Sequence, residues 1–332
     1  MANNASKITV SAMLLMGAAL VIVVLLMSLR RPMETEKLVV SEASQPVFAL
    51  LYIAAHNGYF HDVGLELEYK PFESGRDALN SVIQGEAEIA TVYETPIVLQ
   101  TFRKQRLAVI STLHTATRNT AIVARKDRGI REPLNLRGKR IAVTKDTHGE
   151  FFAFLLVTSQ GIKPSEVTFV NTLPHDMAKV LADGQVDAVA TWSQNVFDAR
   201  DALGKDRSLT IYSDVYTEMS VLACRRATVE KRKDALRRFM QGIVKAQSFL
   251  EAHPEQAFRI VAERLPNATT PEAWQAFTPE AVLSNVLLTL LEQEAEWFIQ
   301  AGRYGGPLPD FRDMIFPEFL EEIKPDAVTV LW

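Results

Sequence analysis

Four short stretches of the chain bring together hydroxyls, a guanidinium, an imidazole and two aromatic rings in patterns suited to holding a small polar molecule. They are Glu73-Ser74-Gly75-Arg76, Tyr93-Glu94-Thr95-Pro96, Thr144-Lys145-Asp146-Thr147-His148 and Trp192-Ser193-Gln194. Each carries a Ser or Thr and leads into a predicted helix. A hydroxyl there caps the helix, and the free N–H groups and positive dipole end favour an anion or a polar oxygen. Arg76 can offer a charge-assisted bond to a ligand oxygen. Tyr93 and Trp192 can sandwich a flat or apolar part of a solute. Taken singly, these residues read as caps, a rim aromatic and a surface charge; their coincidence makes them a site. Ser44 and Gln45, between the first strand and the first helix, join the set. The candidate ligand-binding residues are therefore Ser44, Gln45, Ser74, Gly75, Arg76, Tyr93, Glu94, Thr95, Thr144, Thr147, His148, Trp192 and Ser193. Glu94, Asp146 and Glu150 lie near the same face. They argue against a bare doubly charged oxyanion and suit a ligand with an amine or N–H donors, or they serve only as helix-start acids.

Other chemistries find no support. The single cysteine, Cys224, cannot form an intramolecular disulfide, a CxxC centre or a zinc cluster. The six histidines are scattered, and His56 and His61 are five apart, off the i,i+4 spacing of a helical metal site. No activated nucleophile, metal cage or phosphate loop appears, so neither a cofactor nor catalysis is expected. Lys and Arg number 36 against 40 Asp and Glu, a net charge of −4, which is no footprint for nucleic acid.

The elements that must position these residues form two copies of one α/β pattern. The 332 residues, 48% hydrophobic and 23% charged, suffice for about two globular domains. A strand at Lys37–Val40 is followed by a helix over Val47–Phe60, a strand at Leu65–Tyr69, a helix at Asp77–Gln84 stopped by Gly85, and a strand at Glu88–Val92. Pro96 then opens a helix at its first position. This is βαβαβ, the grammar of a mostly parallel sheet covered by helices. The order recurs about 99 residues later: strands at 141–143, 167–170 and 187–191, helices at 151–159 and 176–182. Aligning Gly85 with Gly184 places Glu88 on Asp187 and Tyr93 on Trp192.

Two crossings connect the copies, one through a strand at Thr120–Ala124, the other near Tyr212–Cys224. Helices follow at 229–252, 254–264 and 279–301. The reading is a first lobe of residues 37–123 plus 215–332, a second lobe of 124–214, and a hinge made by the double connection. In open α/β sheets ligands bind beyond the carboxyl ends of the strands. All four stretches fall there.

Ahead of this body, Ile8–Leu29 is uncharged and apolar apart from Thr9, Ser11, Gly17 and Ser28. At ~1.5 Å per residue it spans ~33 Å, enough to cross a bilayer. It reads as an uncleaved N-terminal transmembrane helix, because Leu26-Met27-Ser28-Leu29-Arg30-Arg31 offers no small-residue cleavage site. The alternative is a signal peptide removed after export.

The phrases Asn57-Gly-Tyr-Phe60, Gly64-Leu-Glu-Leu67, Ser74-Gly-Arg-Asp-Ala-Leu79, Pro133-Leu-Asn-Leu-Arg-Gly-Lys-Arg-Ile-Ala-Val143, Gly184-Gln-Val-Asp-Ala-Val189 and Trp192 resemble the periplasmic solute-binding proteins of ABC importers, of the sulfonate, nitrate, taurine and thiamine-precursor type. The resemblance runs from about Lys37 to the end. It implies a two-lobed clamp of the type II periplasmic-binding-protein-like fold. It also implies a solute in the interlobe cleft, an ABC permease with its ATPase as partners, and a monomer working at the periplasmic face of the inner membrane. A tethered sensor, or an enzyme of thiamine-precursor metabolism using His148 or Glu94 as base, are the alternatives. Two departures stand out. Asp146-Thr147-His148 replaces the Gly-Ser-Ser type loop common in sulfonate binders, and the cysteine-rich metal motif of the related thiamine-pyrimidine enzyme is missing.

Overall fold

Runs of apolar residues broken by glycine-capped helices become two mixed β-sheets, beside a short parallel ladder of Leu283–Ser284 with Val328–Thr329. The computed structural model describes residues 35–214 and 216–331, and a compact unit runs from Lys37 to the C-terminus. The strands of both sheets, in chain order, are β1 (Glu36–Ala43), β2 (Leu65–Phe72), β3 (Ile89–Tyr93), β4 (Leu107–Ala116), β5 (Thr120–Arg125), β6 (Arg140–Val143), β7 (Thr168–Asn171), β8 (Ala188–Trp192), β9 (Ser208–Ile211), β10 (Glu218–Arg225) and β11 (Phe277–Pro279). Helices of eight residues or more are α1 (Ala49–His56), α2 (Gly75–Gln84), α3 (Glu94–Phe102), α4 (His148–Ser159), α5 (Gln194–Leu203), α6 (Lys233–Ala252), α7 (Pro254–Arg264) and α8 (Asn285–Gln300).

The first sheet has the order β11-β4-β10-β3-β1-β2 and the second β7-β6-β8-β5-β9. In each, the third strand of the repeat, β3 or β8, is central and buried along its whole length. Helices cover both faces of such a strand, so its sequence is a continuous apolar run. β1 pairs parallel with β3, and β6 parallel with both β7 and β8. On the other side of the centre the pairing is antiparallel, β10 against β3 and β5 against β8. The sheets are parallel on one flank only, because the two connecting strands run back through them.

The internal repeat reaches into side chains. Gly85 and Gly184 both sit at left-handed φ, 85° and 72°, after the helix of the repeat. An ideal Cβ on Gly85 would lie 3.1 Å from Arg225 Nη1, and one on Gly184 would lie 3.2 Å from Arg128 Nη2 and 3.6 Å from Arg125 Nη1. Arg225 ends β10 and Arg125 ends β5, the matching strands. Arg125 Nη1 donates to the carbonyls of Leu181 and Ala182 at 2.6 and 3.1 Å, satisfying the open end of a helix.

Several elements differ from the sequence reading. The helix expected over Val47–Phe60 breaks at Asn57-Gly58, where Gly58 is left-handed. Pro96 is the third residue of α3, since Tyr93 is its cap. The 229–252 helix breaks at Arg232, and the helix expected from Pro279 starts at Asn285 because Phe277–Pro279 pairs with β4. The longest strand, β4, went unread. Residues 120–123, read as the end of the first lobe, lie in β5 and pair within the second sheet. The chain therefore changes sheet at 117–119 and again at 212–217. Residues 8–29 lie outside the described residues. Among the described residues no helix is long and apolar enough to cross a membrane.

Candidate binding cleft between the two sheets

The carboxyl ends of β1, β3, β6 and β8 converge, as the open-sheet topology requires. Between the two halves opens a cleft of about 450 Å³ whose lining includes Ser44, Gln45 and Glu73 from the first and His175, Ser193 and Gln194 from the second. Polar contacts tie its rim. Arg76 Nη1 donates to the carbonyl of Lys145 at 2.8 Å, and His175 Nδ1 meets Glu73 Oε2 at 2.8 Å. That carboxylate, by hydrogen bond and charge, raises the imidazole's pKa.

Behind the rim the aromatic residues meet. The His148 imidazole stacks on the Tyr93 ring with centroids 3.6 Å apart and planes 12° apart. The Trp192 indole also lies against it, with centroids 4.5 Å apart and planes tilted by 52°. The ring of His148 thus touches both aromatics. All three residues are at most 2% exposed. Burial pushes His148 down to about 4, so its ring is neutral near pH 7.

A buried polar network surrounds Tyr93. Its hydroxyl donates to Gln45 Oε1 at 3.2 Å and accepts from Asn119 Nδ2 at 3.1 Å. Ser193 Oγ donates to Asn119 Oδ1 at 3.0 Å. Asn119 and Thr120 both donate to the Glu218 carboxylate. Burial opposes charge on Glu218, but the His114 imidazole, 3.6 Å away, and the Thr120 hydroxyl outweigh it and hold the carboxyl below its ordinary value. Behind Tyr93, Glu94 accepts from the Met219 N–H at 3.2 Å. Burial and the neighbouring Glu294 carboxyl raise Glu94 well above the carboxylate range; burial takes Glu294 up to about 8.

The structure brings Gln45, Tyr93, His148, Trp192 and Ser193 together, with Ser44 exposed at the mouth. The other candidates stand around them. Ser74 caps α2, accepting from the Asp77 N–H. Gly75 lets α2 lie on β3, where a Cβ would come within 2.8 Å of Val92 Cα. Thr144 donates to the Thr172 carbonyl at 2.9 Å and Thr147 to the Thr144 carbonyl at 2.6 Å, so both hydroxyls hold their own loop. Thr95 is buried beside the Glu294 carboxyl. Asp146 and Glu150 do not stand open to an amine: Arg303 bonds both, and Arg103 lies 3.5 Å from Asp146. Ser193 holds φ 50°, an uncommon non-glycine conformation that aims its side chain into the network.

Asn119, His114, Glu218 and Glu294 were missed in the sequence. The available signal was an acid or imidazole inside an otherwise apolar run, as in Glu218-Met-Ser-Val-Leu-Ala-Cys224.

A family model described as NMT1/THI5 like matches residues 45–257, a span holding Gln45, Tyr93, His148 and Trp192. The chain belongs to that family. Among curated proteins it is similar to the taurine-binding periplasmic protein of Escherichia coli, 23% identical over 247 residues, which cover 73% of this chain and 75% of that protein. Among solved structures it is similar to the alkanesulfonate-binding protein SsuA of Xanthomonas axonopodis bound to MOPS, with a TM-score of 0.72 at 16% identity, covering 86% of this chain and 99% of that one. A desulfurization enzyme matches with a TM-score of 0.60 at 15% identity, over 86% of this chain and 98% of the other. These likenesses establish the periplasmic-binding-protein fold. Binders and an enzyme share it, so function must be argued from the cleft. In this NMT1/THI5-like chain the one thiol is remote from nucleophilic chemistry: Cys224 is buried in β10, and burial pushes it up to about 12.

Proposed function

We propose that the chain is the solute-binding component of an ABC import system. It captures a small polar organic solute between its two halves and hands it to a membrane permease coupled to an ATPase. The observation that carries this reading is the pairing of Tyr93 and Trp192. They end the corresponding central strands of the two sheets, and one ring, that of His148, touches both of them. A slot built half from each sheet exists only when the halves close, so a solute gripped there drives closure.

The sheets form the cores of two lobes, and the crossings at 117–119 and 212–217 are the hinge. Gln45, Tyr93, Trp192 and Ser193 touch the solute, His148 stands at the slot between them, and Arg76 and Glu73 lie on the closing rim. The protein acts as a monomer on the periplasmic side, with the run Ile8–Leu29 as its tether or as a leader removed after export. Nucleic acid is not a partner. Binding without turnover accords with a neutral His148 and with acids already engaged by arginines.

The test is to incubate the protein with a small-molecule extract, re-isolate it, denature it and analyse what is released. A single solute recovered unaltered, with no time-dependent loss from the extract, is the expected result. Steady consumption of a compound with appearance of a product would make the protein an enzyme.

A further inference from the structure

The slot between Tyr93 and Trp192 already has an occupant, and it belongs to the chain. The imidazole of His148 lies parallel to Tyr93 at 3.6 Å and against Trp192 at 4.5 Å. The polar atoms here are not arranged as a finished core would arrange them. His148 Nε2, Trp192 Nε1 and Gln45 Nε2 are all buried without a hydrogen-bond partner. Buried polar groups in native cores are almost always paired, and leaving one unpaired is costly. One such atom on the stacked ring and two on its neighbours describe a site whose polar complement is not supplied by the ring that fills it.

The backbone has also come as close as it can. His148 is the first residue of α4, and the next position is Gly149. An ideal Cβ there would lie 3.0 Å from Trp192 Cε3 and Cζ3, so a side chain at this position would press the indole back by a few tenths of an ångström.

We infer that His148 is an intramolecular occupant of the solute slot, whose ring leaves as the flat group of the solute enters. This rests on the cleft being the solute site. His148 is then a specificity-determining residue: binding is an exchange of one ring for another. A solute without a planar group of about imidazole width gives no stacking in return and is rejected. Self-occupancy also lowers apparent affinity by the fraction of molecules in which the slot is free.

The experiment uses free imidazole as the probe, so it does not depend on knowing the solute. His148→Gly and His148→Ala remove the ring and leave a ring-sized slot. At pH 8 free imidazole is mostly uncharged. Titration followed by calorimetry and intrinsic fluorescence is expected to show saturable, one-to-one binding to the folded variant with a Kd of about 1–10 mM, none to the native protein, and loss of binding when Trp192→Ala is added. A folded variant that takes up no imidazole, or native protein that binds it equally well, would overturn the inference. If neither variant folds, His148 is a core residue and the inference fails as well. An enzymatic outcome in the extract experiment would sink the transport reading and leave the imidazole result standing, so the two failures are distinguishable.

Discussion

The guanidinium of Arg76, at the start of one half's helix, donates to the main-chain carbonyl of Lys145 in the other half at 2.8 Å. The same side chain pairs with Asp77 at 3.1 Å, so its charge is held in place while it spans the cleft. Arg76 therefore ties the two halves together across the cleft.

Arg76→Ala is expected to weaken solute binding about three- to tenfold. One charge-assisted bond is lost at a partly exposed position, so the lower end of the usual range applies, about 1 kcal/mol. Calorimetric titration alongside thermal melting checks this. Unchanged affinity with a large fall in melting temperature would assign Arg76 to the fold.

The buried carboxyls Glu94 and Glu294 predict a pH dependence with a definite sign. Burial raises Glu294 to about 8, whereas in the unfolded chain it ionises near the ordinary carboxylate value. Between those values the folded state holds a proton that the unfolded state has lost, so stability falls as pH rises and levels off above about pH 8. The unfolded chain's His148 is still half protonated at pH 6.5, so the neutral folded His148 opposes this trend by only about 0.4 kcal/mol, nearly all of it below about pH 7.5. Urea midpoints between pH 6.5 and 8.5 are expected to show a loss of about 2 kcal/mol in the native protein and a flatter profile in Glu294→Gln. Identical profiles for the two proteins would show that Glu294 keeps no proton.

Trp192 is 1% exposed, which changes what its removal costs. An open, wet cleft would leave the melting temperature of Trp192→Ala almost untouched. With the indole packed on His148 and Gly149, the substitution is expected to cost about 3–5 kcal/mol of stability and a further ~1–1.5 kcal/mol of affinity from the lost aromatic contact. Trp192→Phe keeps most of the packing and removes most of the solute-induced fluorescence change. A remainder comes from Trp297, which sits 5.0 Å from Phe151 on the helix that His148 begins. A full fluorescence change surviving in Trp192→Phe would place the solute elsewhere.

The paired glycine turns should respond alike. Gly85→Ala and Gly184→Ala each force a side chain into left-handed backbone beside an arginine, at a cost of about 1–2 kcal/mol. Chemical denaturation of both variants measures it. A loss at one position and none at the other would mean that the two turns are not equivalent.

The repeat was legible because each strand end is marked twice in the sequence, by an apolar run and by the glycine that stops the preceding helix. That is how Tyr93 and Trp192 came to be paired from spacing alone. The occupant of the gap between them was not legible. His148 lies 55 positions beyond Tyr93 and 44 before Trp192, and only the approach of one half to the other brings the three rings together. β4 was missed for a related reason. Its Ser111, Thr112 and His114 read as polar, yet all are buried, with Thr112 bonding the Glu280 and Val282 carbonyls and His114 bonding Ser220. Partners that distant leave no local pattern.

The most direct test of the account is native mass spectrometry of the protein as isolated and after exposure to a small-molecule extract. A single small solute bound one-to-one is expected, and none in a folded variant carrying both Tyr93→Ala and Trp192→Ala. A solute retained in full by that double variant, or no bound solute under any loading, would contradict it.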